Sequence, residues 1–77
     1  MKEAVEKIVK ALVANPDDVV VEESGDGKNV RISVSVGPDD MGRLIGREGR
    51  TVKAIRSLLF FAGHKQGKRF QLDLMED

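Results

Sequence analysis

Between Arg43 and Arg56 the chain carries five basic side chains, one acid and two glycines. The stretch runs Arg43-Leu44-Ile45-Gly46-Arg47-Glu48-Gly49-Arg50-Thr51-Val52-Lys53-Ala54-Ile55-Arg56. Glycine tolerates positive φ and has no Cβ, so Gly46 and Gly49 permit a tight turn whose backbone lies open to a ligand. A helix predicted from about Arg50 would aim its first free N–H groups and its positive dipole end into the same space. Such an end suits an anion such as a phosphate. Arg47 and Arg50, in and beside the turn, are the best-placed phosphate contacts. Arg43 and Lys53 follow, each about one helical turn away, and Arg56 is equally readable as a solvated surface charge. Together these residues imply a grip on a nucleic-acid backbone; the competing reading is a plain helix–helix turn that needs no ligand. Glu48 works against the first reading, since its carboxylate beside a phosphate offsets the charge of Arg47.

Catalysis finds little to work with. His64 is the single histidine, in an expected loop, where it suits a helix end better than a general base. Asp17-Asp18, Glu22-Glu23 and Asp39-Asp40 are adjacent pairs, which point to opposite faces of a strand and elsewhere suit caps and turns. There is no nucleophile–base set and no metal-ligand spacing, so neither a cofactor nor a metal is expected. Gly63-His64-Lys65-Gln66-Gly67-Lys68-Arg69 superficially resembles a phosphate-binding loop. It has too few residues between its glycines and lacks the Ser or Thr after lysine.

Composition sets the scale. Seventy-seven residues make one small domain, 1–77, whose core is marginal without a supplement such as oligomerisation. Thirteen basic and thirteen acidic residues cancel, which argues against binding through bulk charge. Their placement is uneven: residues 15–40 hold seven acids and two bases, leaving the basic excess around the two glycines. Such a local patch implies modest, salt-sensitive binding. The chain has no cysteine, which fits a reducing compartment. No apolar run approaches the roughly 20 residues a bilayer requires, and the acids near Met1 disfavour a signal peptide. A cytoplasmic protein is expected.

The elements that must position the turn follow from periodicity. Residues 3–14 place Val5, Ile8, Val9, Leu12 and Val13 on one helical stripe. Asn15-Pro16 should end that helix. The β-branched run in residues 18–24 predicts a strand, Gly25-Asp26-Gly27 a turn, and residues 29–36 a strand with Val30, Ile32, Val34 and Val36 inward. Asp39 or Asp40 is expected to cap a short helix reaching about Ile45. A long helix follows over 50–62, with Gly63 as its stop. Residues 69–74 alternate again, with Phe70, Leu72 and Leu74 inward. The outward side of the sheet is polar, which excludes base stacking on an aromatic platform there; Arg31 or Ser33 is a weaker option as a second wall beside a base.

On the long helix Val52, Ile55, Leu58, Leu59 and Ala62 form the expected core stripe. Ala54, Ser57 and Phe61 lie on another side, and Phe60 is also off the stripe. A second apolar face predicts a homodimer packed through Ala54, Ser57 and Phe61. The alternative is that Phe61 folds under the last turn against the first helix of its own chain.

Residues 45–55 resemble the I-G-x-x-G-x-x-I-x-x-I signature of the KH RNA-binding domain, with Val52 at the first later apolar place. The loop position and the Pro38-Asp39-Asp40-Met41-Gly42-Arg43 lead-in make the whole chain similar to the small bacterial single-KH RNA-binding proteins of the KhpA type. The resemblance implies an α+β type II KH fold, α-β-β-α-α-β, with a three-stranded sheet and three helices on one face. It also implies a GXXG loop that clamps the backbone of about four nucleotides. Carried over, Arg43, Leu44, Ile45, Gly46, Arg47, Glu48, Gly49, Arg50 and Lys53 would be RNA-binding, with Leu44, Ile45 and Val52 contributing to a groove floor for bases. The partners implied are single-stranded RNA, a second copy of the chain and a larger KH-containing protein, in an RNA chaperone or post-transcriptional regulator, with a link to cell-envelope growth. The competing expectation is a dimerising interaction subunit with weak or vestigial RNA binding.

Overall fold

A computed structural model describes residues 1–76. Helix α1 spans Lys2–Leu12, strand β1 Val20–Gly25, strand β2 Asn29–Val36, helix α2 Met41–Ile45, helix α3 Arg50–Gln66 and strand β3 Arg69–Glu76. Short 3-10 turns at Pro16–Asp18 and Arg47–Gly49 complete the path. The expected α-β-β-α-α-β order is present. Strand order is β1-β2-β3; β1 runs antiparallel to β2, and β3 runs parallel to it, with Asn29 opposite Arg69 and Ile32 opposite Leu72. A parallel partner needs a crossover, and the α2–α3 segment supplies it.

Alternation on β2 drives the packing. Val30, Ile32, Val34 and Val36 are buried against Val5, Val9, Leu44, Val52, Ile55 and Leu59 from the helices. Arg31, Ser33 and Ser35 face away and are exposed or half-buried. On that outer face the Nε of Arg31 lies 3.2 Å from an Asp73 carboxylate oxygen on β3. Arg31 is thus already engaged across the strands, in an exposed pair of the kind that stabilises by well under 1 kcal/mol.

Several boundaries differ from the sequence pattern. Helix α1 stops at Leu12, because Val13 is already extended (φ −97°, ψ 159°). Leu12 is exposed, and Val13 packs on the edge of the core. Strand β1 begins only at Val20, since Pro16–Asp18 forms a 3-10 turn. Asp40 is the N-cap residue of α2 but makes no side-chain cap bond. Its fully buried carboxylate instead accepts the amides of Ala14 (3.0 Å) and Asn15 (2.9 Å), fastening the end of the α1 segment to the start of α2.

Gly63 does not stop the long helix. Helix α3 runs on to Gln66, and Gly63 is buried within it. A Cβ there would stand 2.5 Å from the Lys68 carbonyl oxygen and 3.1 Å from the Phe70 ring, so its role is close packing onto the returning strand. Gly67, at φ 67°, ends the helix. The Lys68 amide donates to the Gly63 carbonyl (2.8 Å) and the Gly67 amide to that of His64 (3.4 Å), which is a Schellman closure.

Candidate nucleic-acid interface

The turn at 46–49 is built from three residues at positive φ: Gly46 (78°), Glu48 (57°) and Gly49 (74°). Gly46 has ψ 173°, a region that essentially only glycine occupies. A Cβ on it would also overlap Thr51 Oγ1. Gly49 meets no such obstacle; the nearest atom to its Cβ position is Lys53 Cε at 3.9 Å. The left-handed conformation of Glu48 costs roughly 1–2 kcal/mol for a residue with a Cβ.

Hydrogen bonding inside the turn differs from the sequence expectation of freely open glycine backbone. The Gly46 amide donates to Gly42 (2.9 Å) and that of Gly49 to Gly46 (3.1 Å), while the Arg50 amide donates to Arg47. Arg47 and Glu48 lie between the two glycines. Both residues are exposed. The turn therefore uses its glycine amides to hold its own shape and carries two exposed residues between them.

The cations around it are not equivalent. Arg47 and Lys53 are exposed and make no ion pair among the described residues. Arg50 Nη2 lies 3.5 Å from Glu48 Oε2, so Glu48 offsets Arg50 and not Arg47 as the sequence suggested; both side chains are largely exposed, and the pair is weak. Arg43 Nε lies 3.4 Å from the buried Asp40 carboxylate. The amide of Ala14 chiefly, then those of Asn15, and then the Arg43 charge hold the Asp40 carboxyl below the usual carboxylate range, against the opposing effect of burial. Arg56 turns away, its guanidinium donating to the Leu72 carbonyl (3.4 Å) on β3.

Of the apolar residues near the turn, Leu44 is fully buried and Val52 nearly so, which makes both core. Ile45 is 37% exposed and is the one that offers surface beside the loop. Asp40 is the residue that local sequence patterns missed: its amide partners lie 25 and 26 positions back, beyond any periodicity.

The second face of α3 is uncovered. Ala54 and Ser57 are exposed, as are Phe60 (66%) and Phe61 (65%). Phe61 does not fold against α1, which removes that alternative. Leu58, expected in the core stripe, is 58% exposed. It flanks an apolar groove of about 250 Å³ between α1 and α3, lined also by Met1, Ala4, Ile8, Leu59 and Ala62. Among the described residues there is no cluster able to hold a metal ion, and no helix is long and apolar enough to cross a membrane.

Comparison with known proteins agrees with this architecture. Residues 2–74 match the family model described as KhpA/KhpB, KH domain. The chain is 51% identical over 76 residues to RNA-binding protein KhpA of Halalkalibacterium halodurans, covering 99% of this chain and all of the relative. It is 41% identical to the protein of that name in Listeria monocytogenes, covering 99% of this chain and all of the relative. The protein of that name in Caldanaerobacter subterraneus is 43% identical over 97% of this chain and all of the relative. No solved structure matches the chain. The element order, the two-glycine turn between α2 and α3 and a match over nearly the whole length agree: the chain belongs to the KhpA/KhpB family of KH domains.

Proposed function

We propose that the chain binds single-stranded RNA at the turn between α2 and α3. The observation that carries this reading is the exposed turn at Arg47 and Glu48, held between two glycines at positive φ and flanked by Arg47 and Lys53, cations that make no ion pair among the described residues. In this reading the backbone of the turn and Arg47 hold a phosphate. Arg50 and Lys53 hold its neighbours, Arg43 adds charge from the lead-in, and Ile45 offers a base its apolar side. The relatives are named RNA-binding proteins, which supports binding and not enzymatic turnover as the activity. An RNA chaperone or post-transcriptional regulator in the bacterial cytoplasm fits a small, neutral chain with one local cationic site.

The uncovered apolar side of α3 favours a second component of the reading. Phe61, with the small residues Ala54 and Ser57 beside it, forms a homodimer face, or the contact with a larger KH-containing protein. Two sites per dimer would tighten weak single-site binding where their spacing allows both to engage.

Nuclear magnetic resonance titration with a short single-stranded RNA at fixed salt tests the first component. Shifts should cluster on residues 43–53 and need about tenfold more RNA in Arg47→Asp protein; shifts confined to the Ala54–Phe61 side on adding a protein partner would instead make the chain an interaction subunit. Single-stranded DNA run in parallel reads the contribution of the 2′-hydroxyl. Sedimentation of wild-type and Phe61→Glu protein tests the dimer, and a wild-type monomer at tens of micromolar would refute it.

A further inference from the structure

The other end of α3 carries a second cationic surface. No acid occurs between Glu48 and Asp73, and in that interval Lys65, Lys68 and Arg69 follow one another with His64. The fold adds Lys28 to them, because the Arg69 amide donates to the Lys28 carbonyl (2.7 Å) and draws the β1–β2 turn onto the α3–β3 turn. Lys28, His64, Lys68 and Arg69 line one open depression of about 580 Å³. None of Lys28, His64, Lys65, Lys68 and Arg69 makes an ion pair among the described residues. The nearest acid in sequence, Asp26, spends one carboxylate oxygen on the Lys28 and Asn29 amides (3.0 and 2.8 Å).

An aromatic surface adjoins these charges. Phe60 is 66% exposed, and its ring lies nearly parallel to that of His64, with centroids 6.3 Å apart. Phe60, His64, Lys68, Arg69 and Phe70 share a second, smaller and more enclosed depression. Exposed rings beside unpaired cations are the two parts of a single-strand platform: stacking for bases, charge for phosphates. Lys53, Arg56, Phe60 and His64 are spaced by three, four and four residues, so they mark one side of α3. That side runs from the 46–49 turn to this patch over about 25 Å.

We propose that Phe60, His64, Lys68 and Arg69, with Lys28, form a second single-stranded RNA contact that engages only strands long enough to reach it. The site shares its class of ligand with the turn at 46–49 but none of its residues, so either can fail alone. The test measures binding by fluorescence anisotropy of full-length protein to RNAs of about six and about twenty nucleotides. It compares wild type, the triple variant Lys28→Gln/Lys68→Gln/Arg69→Gln, Phe60→Ala and Arg47→Asp. All of these side chains are exposed, and matched melting curves confirm that the variants fold. In the triple variant the long RNA should bind at least tenfold more weakly, with its log K versus log salt slope smaller by about 2. Phe60→Ala should weaken the long RNA about fivefold, and neither change should affect the short one. Equal affinity of wild type and triple variant for the long RNA, or equal losses for both lengths, overturns the proposal. If Arg47→Asp changes nothing while the triple variant loses the long RNA, the turn reading falls and this one stands.

Discussion

At its start α3 is preceded by Gly49 at φ 74°, and at its finish it is followed by Gly67 at φ 67°. The two turns use the same left-handed glycine and close through different hydrogen bonds. At Gly67 the amides of Gly67 and Lys68 return to the carbonyls of His64 and Gly63, which satisfies the helix end. At Gly49 the turn closes through the amides of Gly46, Gly49 and Arg50, with Arg47 and Glu48 exposed between them. A left-handed glycine therefore does not itself mark a binding loop. Under the proposed second contact the C-terminal turn meets RNA only through side chains.

The largest effect that would break this comparison is expected at Gly46. Gly46→Ala combines a forbidden backbone region with overlap on Thr51, and should destabilise by roughly 2–4 kcal/mol. Thermal unfolding should show a fall in Tm of more than about 10 °C. Next comes Arg47→Asp, which should leave Tm unchanged and lower affinity for a six-nucleotide RNA about tenfold, or ~1.4 kcal/mol. A loss of Tm would mean that Arg47 supports the fold. Gly49→Ala and Gly67→Ala form the direct contrast. Each should lose about 1 kcal/mol of stability, but only Gly49→Ala should weaken the short RNA, because only Gly49 borders the turn proposed to bind it. Equal binding by both would remove the distinction drawn above.

Smaller effects sharpen it. Glu48→Asn should relieve part of the left-handed strain and remove a carboxylate from the loop, raising stability by about 0.5 kcal/mol and RNA affinity a few-fold. The smallest effect at neutral pH concerns Asp40. Its folded carboxyl titrates below its unfolded value, so it contributes stability above the unfolded value that is lost as pH falls through the folded one. Amide exchange of Ala14 and Asn15, corrected for intrinsic rates, should speed up in acid before that of Lys68 does. Parallel loss of protection at both places would show that Asp40 does not fasten the N-terminal lead-in separately.

Much of the fold was readable because its signals are local. The β2 alternation fixed both limits of Asn29–Val36, and the apolar-glycine pattern placed the turn before α3. What escaped involves atoms distant in sequence. Gly63 looked like a helix stop, since glycine at a helix end and glycine under a crossing strand read alike until β3 is in place. Leu58 fitted the core stripe by angle, but α1 leaves the groove beside it unfilled. Of the site, the turn and its cations could be read, whereas the distribution of partners could not. Asp40 engages Arg43, Glu48 engages Arg50 and the Leu72 carbonyl engages Arg56, leaving Arg47 and Lys53.

The missing side chain at Gly63 has one more effect. It lets the return strand press against α3 so closely that a Cβ at Gly63 would overlap the Lys68 carbonyl and the Phe70 ring, and the connection is tied down at both of its amides. The backbone that carries residues 64–69 is thus already shaped before any polymer arrives. A strand landing there would surrender its own freedom while the protein's main chain gives up little.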